Sequence, residues 1–161
     1  MKAKTGVQIS RLPEHFDDWD GLLALISEAF AYMDGIVEPP SSARRLTPQV
    51  LIDKARQETC FIATEEGRLI GCIFASERAD HIYVGKLAIT PSHQRRAVGK
   101  GLLYAVEAHA QALGKPILEL QTRIELTGNH AAFARLGFRE TERTAHPGYN
   151  HPTSLTMRKQ L

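Results

Sequence analysis

Apolar residues recur at spacings of three and four through Trp19, Leu22, Leu23, Ile26, Phe30 and Met33, so residues 17–33 predict a helix with one face to bury. Residues 7–11 alternate as a short strand does, and Asp17 or Asp18 stands where a helix cap belongs. Asp34-Gly35 ends the helix, Glu38-Pro39-Pro40-Ser41-Ser42 reads as loop, and Thr47-Pro48 joins a cap to a first-turn proline, opening a shorter helix through Gln57. From Thr59 the period changes. Residues 59–64, a turn at 65–68, then 69–75 and 81–90 predict an antiparallel meander. Val98, Leu102, Val106, His109 and Leu113 return to helical spacing until Gly114-Lys115-Pro116. A strand over 117–122, a short helix over 130–136 ended by Gly137, and strands over 138–144 and 153–158 follow. Hairpins first and helix-joined strands later predict a mixed α/β sheet of about seven strands.

Composition narrows the function classes. At 161 residues and 43% apolar content, the expectation is one domain over residues 1–161. Lys and Arg outnumber Asp and Glu by 20 to 18, a charge of +2 too small to imply nucleic acid or an anionic membrane as partner. Nothing approaches the roughly 18 apolar residues of a membrane span, and Met-Lys-Ala-Lys lacks the apolar core of a signal peptide, so a cytoplasmic location is expected. Cys60 and Cys72 fall on neighbouring hairpin arms. In a reducing compartment they read as small buried hydrophobes rather than a disulfide, and without histidine spacing they make no metal site.

The stretch 86–103 carries the chemistry: an apolar strand, Pro91, a basic turn with Gln94, Arg95 and Arg96, then Ala97, Val98, Gly99, Lys100 and Gly101 opening a helix. Small residues let the backbone approach an anion, and the free N–H groups of a first helical turn point the positive end of the helix dipole at it. A diphosphate suits such a site, with Arg95, Arg96 and Lys100 adding charge.

Residues 94–99 resemble the pyrophosphate loop of the GNAT N-acetyltransferase superfamily, which reads Gln or Arg, two residues, Gly, one residue, then Gly or Ala. Ala97 replaces the first glycine, which keeps the loop's shape only if Ala97 holds ordinary helical or bridging angles. Leu87 and Ile89 before the loop, the strand over 117–122 and the run 129–138 extend the resemblance over residues 59–161. It implies a mostly antiparallel seven-stranded sheet splayed at its centre and flanked by helices, binding acetyl-CoA as acyl donor. Leu87, Ala88 and Ile89 would bond the pantetheine, with an N–H near Ala88 polarising the thioester carbonyl. Asn129 matches a cofactor-contacting asparagine, and a helix cap is its alternative role.

Phe133 stands where many family members carry a tyrosine that protonates the departing thiolate. Tyr83, His146 and Tyr149 are the candidate replacements, Tyr83 because strand alternation puts it on one face with Gly85 and Leu87. Tyr32, Asp34 and Glu38 fall in the segment that forms an acceptor wall in the family, where two carboxylates would attract an ammonium group; solvated loop charges are the alternative. The implied reaction is acetyl transfer to a primary amine of a small molecule or peptide by direct attack in a ternary complex. A non-catalytic acyl-CoA-binding module is the alternative that Phe133 keeps open, and a homodimer is compatible with the chain.

Overall fold

The computed structural model describes residues 6–94 and 97–161, and the hydrophobic periods become elements close to their expected bounds. In chain order these are β1 (Val7–Arg11), α1 (Trp19–Phe30), α2 (Pro48–Gln57), β2 (Thr59–Glu65), β3 (Arg68–Glu77), β4 (Ile82–Ile89), α3 (Val98–Ala112), β5 (Ile117–Arg123), α4 (Thr127–Arg135), β6 (Arg139–Thr144) and β7 (Ser154–Gln160). Local chemistry sets the helix starts: Asp18 Oδ1 accepts the Gly21 N–H at 3.0 Å, and Thr47 Oγ1 accepts that of Val50 at 3.2 Å. Past Phe30 the chain tightens into a 3-10 turn, Ala31–Met33, so the apolar stripe outlasts the α-helix proper. A second 3-10 turn, Ser42–Arg45, forms where loop was expected, with Ser41 Oγ accepting the Ala43 N–H at 3.2 Å.

The strands form one sheet in the order β1-β2-β3-β4-β5-β7-β6. Leu102, Val106 and Ala110 of α3 pack on one face against Ile73, Ile82, Val84 and Leu118. Leu22, Ile26 and Leu51 from α1 and α2 pack on the other against Ile62, Phe74 and Ala88. Full burial of such a side chain stabilises by roughly 1.5–3 kcal/mol, so both faces are firmly clamped. The centre of the sheet is different.

There β4 and β5 make the sheet's parallel pair, and their register covers only Ile82↔Leu118, Tyr83↔Glu119 and Val84↔Leu120. The cause lies one strand away. Phe74 pairs with Gly85 and Cys72 with Ala88, so Ile73 faces two residues, Lys86 and Leu87, across a bulge in β4. Lys86 takes φ 51° there, and the buried Cys72 thiol donates to its carbonyl at 3.4 Å. A bulge bends its strand and increases local twist, so β4 turns away from β5 beyond Val84. The extra residue also shifts the side-chain alternation. Tyr83 and Gly85 stay on one face, but Leu87 joins Ile89 in the cluster with Ile82 and Val84; the expectation that Tyr83 and Leu87 share a face is corrected. Cys60 and Cys72 are both free and buried, and burial raises both thiol pKa values, that of Cys60 to about 12, as small core residues would show. No helix among the described residues is long and apolar enough to cross a membrane.

Candidate functional site

Where β4 and β5 part, a cavity of about 780 Å³ opens, bordered by Gly85, Leu87 and Ile89 on one strand and Leu120 and Thr122 on the other. Its backbone is partly committed. The Thr90 N–H donates to the Ile70 carbonyl at 2.9 Å, and two-residue alternation then commits Ala88 to the β3 ladder as well. Leu87 and Ile89 therefore turn their N–H and C=O groups to the gap. The Ile89 carbonyl accepts from Gln94 Nε2 at 3.2 Å. Across the gap, Thr122 Oγ1 is buried with no hydrogen-bond partner, an expensive condition unless a ligand group completes it.

The far end of the cleft is the start of α3. Ala97 precedes the helix at φ 63°, ψ 13°, in the left-handed region rather than at the helical or bridging angles expected of it. An alanine held so costs roughly 1–2 kcal/mol, so the loop keeps its shape by bearing strain that glycine would avoid. The Gly101 N–H donates to the Ala97 carbonyl at 3.0 Å, which leaves the N–H groups of Val98, Gly99 and Lys100 as those without a helical acceptor. A Cβ on Gly101 would lie 2.5 Å from Ile9 Cδ1, the free end of a half-buried side chain. A Cβ on Gly99 would meet open space. The Lys100 ammonium lies over the Tyr104 ring, 5.7 Å from its centroid. Arg95 and Arg96 lie outside the described residues. His93, which the sequence reading passed over, anchors the loop from below. It is buried, its Nε2 is 2.6 Å from Glu65 Oε1, and its Nδ1 is 3.0 Å from Thr90 Oγ1.

Tyr83, Phe133, Asn129, Tyr32 and His146 all line the cavity. Burial, then the Glu119 charge, raises the Tyr83 phenol pKa, with the Arg78 guanidinium over its ring opposing. Burial, then the charge of Arg123, lowers the His146 pKa from 6.5. Its Nδ1 lies against Thr153 Oγ1, which also accepts the His146 backbone N–H at 2.9 Å. Phe133 packs edge-on to Phe138 with centroids 5.8 Å apart. Asn129 sits inside the first turn of α4, so it is not the cap; its Nδ2 donates to Tyr32 Oη at 3.3 Å and ties α4 to the turn after α1.

Three expected residues stand apart from this lining. Tyr149 donates its hydroxyl to Glu38 Oε2 at 3.2 Å, away from the main cavity, and burial together with that carboxylate raises its pKa. Asp34 lies 4.0 Å from Arg44 with both side chains exposed. The lining instead includes Arg45, Lys86 and Arg123, which the sequence reading did not single out. The strand end at Arg123 and the Ser-Ser-Ala-Arg-Arg run were visible, but nothing local says that a bulge would open the sheet between them. Among the described residues no cluster of His, Cys, Asp or Glu could hold a metal ion.

The same overall fold recurs in solved structures. A PaiA N-acetyltransferase from Thermoplasma acidophilum in complex with coenzyme A superposes with a TM-score of 0.81 at 18% identity, covering 97% of this chain and 99% of that one. The ribosomal-protein-S18-alanine N-acetyltransferase from Escherichia coli gives 0.73 at 20% identity, covering 96% and 94%. A GNAT family acetyltransferase from Elizabethkingia anophelis with acetyl-CoA bound gives 0.69 at 17%, covering 98% and 100%. These likenesses establish the fold. No curated protein matches the sequence. The profile of the acetyltransferase (GNAT) family matches residues 19–138, three-quarters of the chain and the whole of the cleft's central strands and helix start, and the chain therefore belongs to that family.

Proposed function

We propose that this protein is an acetyl-CoA-dependent N-acetyltransferase that acylates a primary amine by direct attack with both substrates bound. The observation that carries the reading is the parted β4–β5 pair: backbone groups of Leu87 and Ile89 face the gap, with the unpartnered Thr122 hydroxyl opposite. That donor and acceptor set suits an amide-bearing pantetheine arm, and the open N–H groups of Val98, Gly99 and Lys100 suit its diphosphate. Coenzyme A and acetyl-CoA in two of the similar structures support the same fit. Acetyl-CoA, when bound, supplies an activated acyl carbon with a thiolate leaving group.

The chain's own residues divide the remaining work. In this reading an N–H near Ala88, that of Leu87, donates to the thioester oxygen; such donors contribute roughly 10² to 10³ in rate. His146 acts as base. The Thr153 hydroxyl is 3.4 Å from the Thr144 carbonyl, and with its hydrogen directed there Nδ1 carries the imidazole proton and Nε2 keeps its lone pair. A depressed pKa keeps that ring neutral at pH 7 and able to accept a proton from the amine, directly or through water. Tyr83, whose raised pKa keeps it protonated, gives a proton to sulfur as the carbon–sulfur bond breaks and the nitrogen–carbon bond forms. The proton on His146 then restores the phenol through solvent, so the products are an amide and a free thiol. Phe133 leaves this acid role to Tyr83, and Tyr149 is already committed to Glu38.

The test is calorimetry with acetyl-CoA followed by thiol release with a panel of amines. Binding and amine-dependent release are expected, and Tyr83→Phe should lower kcat more than it weakens acetyl-CoA binding. Tight binding without release for any amine would favour the non-catalytic module.

A further inference from the structure

Four cationic side chains, Arg45, Lys54, Lys86 and Arg123, line the cavity, and no carboxylate among the described residues does. They come from four elements: the 3-10 turn Ser42–Arg45 before α2, α2 itself, the bulge of β4 and the end of β5. Lys54 is neutralised by Glu58 at 2.9 Å. The other three form no ion pair among the described residues. Lys86 is half-buried, and its Nζ donates only to Ser42 Oγ at 2.9 Å. Arg123 donates to the Pro39 carbonyl at 2.6 Å and the Pro40 carbonyl at 3.2 Å, neutral acceptors that leave its charge in place. Arg45 is exposed at the rim.

Half-buried cations converging on one space repel one another unless an anion joins them. The strain shows at Lys86, where burial first and then Lys54, Arg45 and Arg123 lower the ammonium pKa from 10.5. The carboxylates that act on these cations do so from outside the lining: Glu58 opposes the shift at Lys86 but is ion-paired to Lys54, and Glu125 acts on Arg123 while accepting the Glu38 N–H at 3.2 Å. The coenzyme's phosphates do not answer the need. Ser42 and Lys86 sit with α1 and α2 on one face of the sheet, whereas the anion-ready start of α3 belongs to the other. Lys86 also adjoins Leu87, whose backbone faces the gap, so an anion at its ammonium lies beside the reacting segment of β4.

Resting on the acetyltransferase reading above, we propose that the acceptor amine also carries a carboxylate, held by Lys86 with Arg45 and Arg123, so that the substrate class is amino acids rather than polyamines or other basic amines. The carboxylate completes the charge of the cavity while its own amine is delivered to His146. An ammonium-only acceptor meets three cations that form no ion pair among the described residues and is disfavoured by repulsion.

Thiol release from acetyl-CoA, measured on the full chain, tests this with matched probes: the twenty L-amino acids, their carboxamides, putrescine and spermidine. At least one acid should exceed its own carboxamide by about tenfold in kcat/KM, the size of one desolvated charge contact. Lys86→Met should bring that ratio to within about twofold and Lys86→Arg should preserve it, with acetyl-CoA affinity by calorimetry unchanged in both. Arg45→Ala, an exposed change that the fold tolerates, should raise KM for the acid by about threefold and leave the carboxamide alone. The proposal is overturned if carboxamides or polyamines match or surpass the acids, or if a protein that binds acetyl-CoA acetylates a polyamine and none of the acids. Failure to bind acetyl-CoA at all is a separate result, which removes the transferase reading and the acceptor assignment with it.

Discussion

The two sides of the cleft offer different kinds of group. On the α3 side the groups on offer are backbone: three N–H groups of a first helical turn and the strand edges left open when β4 leaves β5. On the α1 side they are side chains, with Lys86, Arg45 and Arg123 drawn from separate elements and His146 lining the same cavity. A backbone site depends on topology and tolerates wide change in sequence, in keeping with a fold shared at 18% identity. A side-chain site can be rewritten by a few substitutions without disturbing the fold. Under the proposed function, the first side would hold the acyl donor and the second would select the acceptor.

The strongest way to break this contrast is at the helix start. Gly99→Glu places a carboxylate among the open N–H groups, and because a Cβ there meets nothing within 4 Å, the protein should fold. Acetyl-CoA affinity should fall by about 100-fold or more, since the new anion occupies the phosphate position and repels it. Gly101→Ala, two residues on, should leave affinity unchanged, and stability should move by less than about 1 kcal/mol, because the half-buried end of Ile9 can turn aside and the helix gains from losing a glycine. Calorimetry and thermal melts on the pair decide. Exchanged outcomes would mean that Gly101, not Gly99, faces the ligand.

On the side-chain half, His146→Gln should lower kcat by about 10- to 100-fold with acetyl-CoA affinity held. Burial, then Arg123, puts the folded pKa below 6.5, and a base loses activity as pH falls through its pKa. The acid limb of kcat/KM should therefore lie below pH 6.5 and vanish in the variant. The same shift bears on stability with a definite sign. A folded pKa below the unfolded one gives a contribution that is full above 6.5 and is lost as pH falls through the folded value. A limb above 6.5, unchanged in His146→Gln, would remove the imidazole from the reaction.

The contrast also explains what could be read in advance. Element order was legible almost throughout, because each element carries its own local signal: Asp18 and Thr47 as caps, Pro48 in a first turn, Glu66-Gly67 at a hairpin where both residues need positive φ. The α3 side was legible for the same reason, since a strand, a small-residue turn and a helix are contiguous. The bulge at Lys86 was not. It arises from pairing between β3 and β4, and no period within β4 announces it, so the face of Leu87 and the importance of Lys86 both went unseen. Asp34 and Glu38 drew notice for proximity in sequence, yet Glu38 is held by Tyr149 from 111 positions away and the cavity lining there is cationic. Electrostatics of a cleft assembled from four elements is a tertiary quantity.

A smaller effect sharpens the backbone half. Thr122→Val removes the buried hydroxyl that has no partner while keeping the side chain's shape. In the free protein it should raise stability by about 1 kcal/mol, because an unsatisfied polar group is replaced by an apolar one. Acetyl-CoA affinity should fall severalfold, since the group that the ligand would satisfy is gone. Opposite signs in the two measurements mark a group kept for a ligand. A loss in both would make the hydroxyl merely structural.

The smallest expected effect lies at Ala97, where φ of 63° holds a Cβ in the left-handed region. Relief of that strain is worth roughly 1–2 kcal/mol, and the greater unfolded-state freedom of glycine offsets roughly 0.5–1 of it. Ala97→Gly should therefore stabilise by about 0.5–1 kcal/mol, which for a chain of this size shifts Tm upward by about 1–4 °C. Acetyl-CoA affinity should hold or rise slightly, because the turn keeps its path and loses a methyl group beside the open N–H groups. The comparison with Gly99 is the point of the measurement. Both positions flank the same helix start, but one tolerates a side chain at a conformational cost and the other excludes an anionic one for what it would do to the ligand. If Ala97→Gly lowers Tm, the left-handed turn is not the free protein's resting state, and the helix start is shaped by the ligand rather than waiting for it.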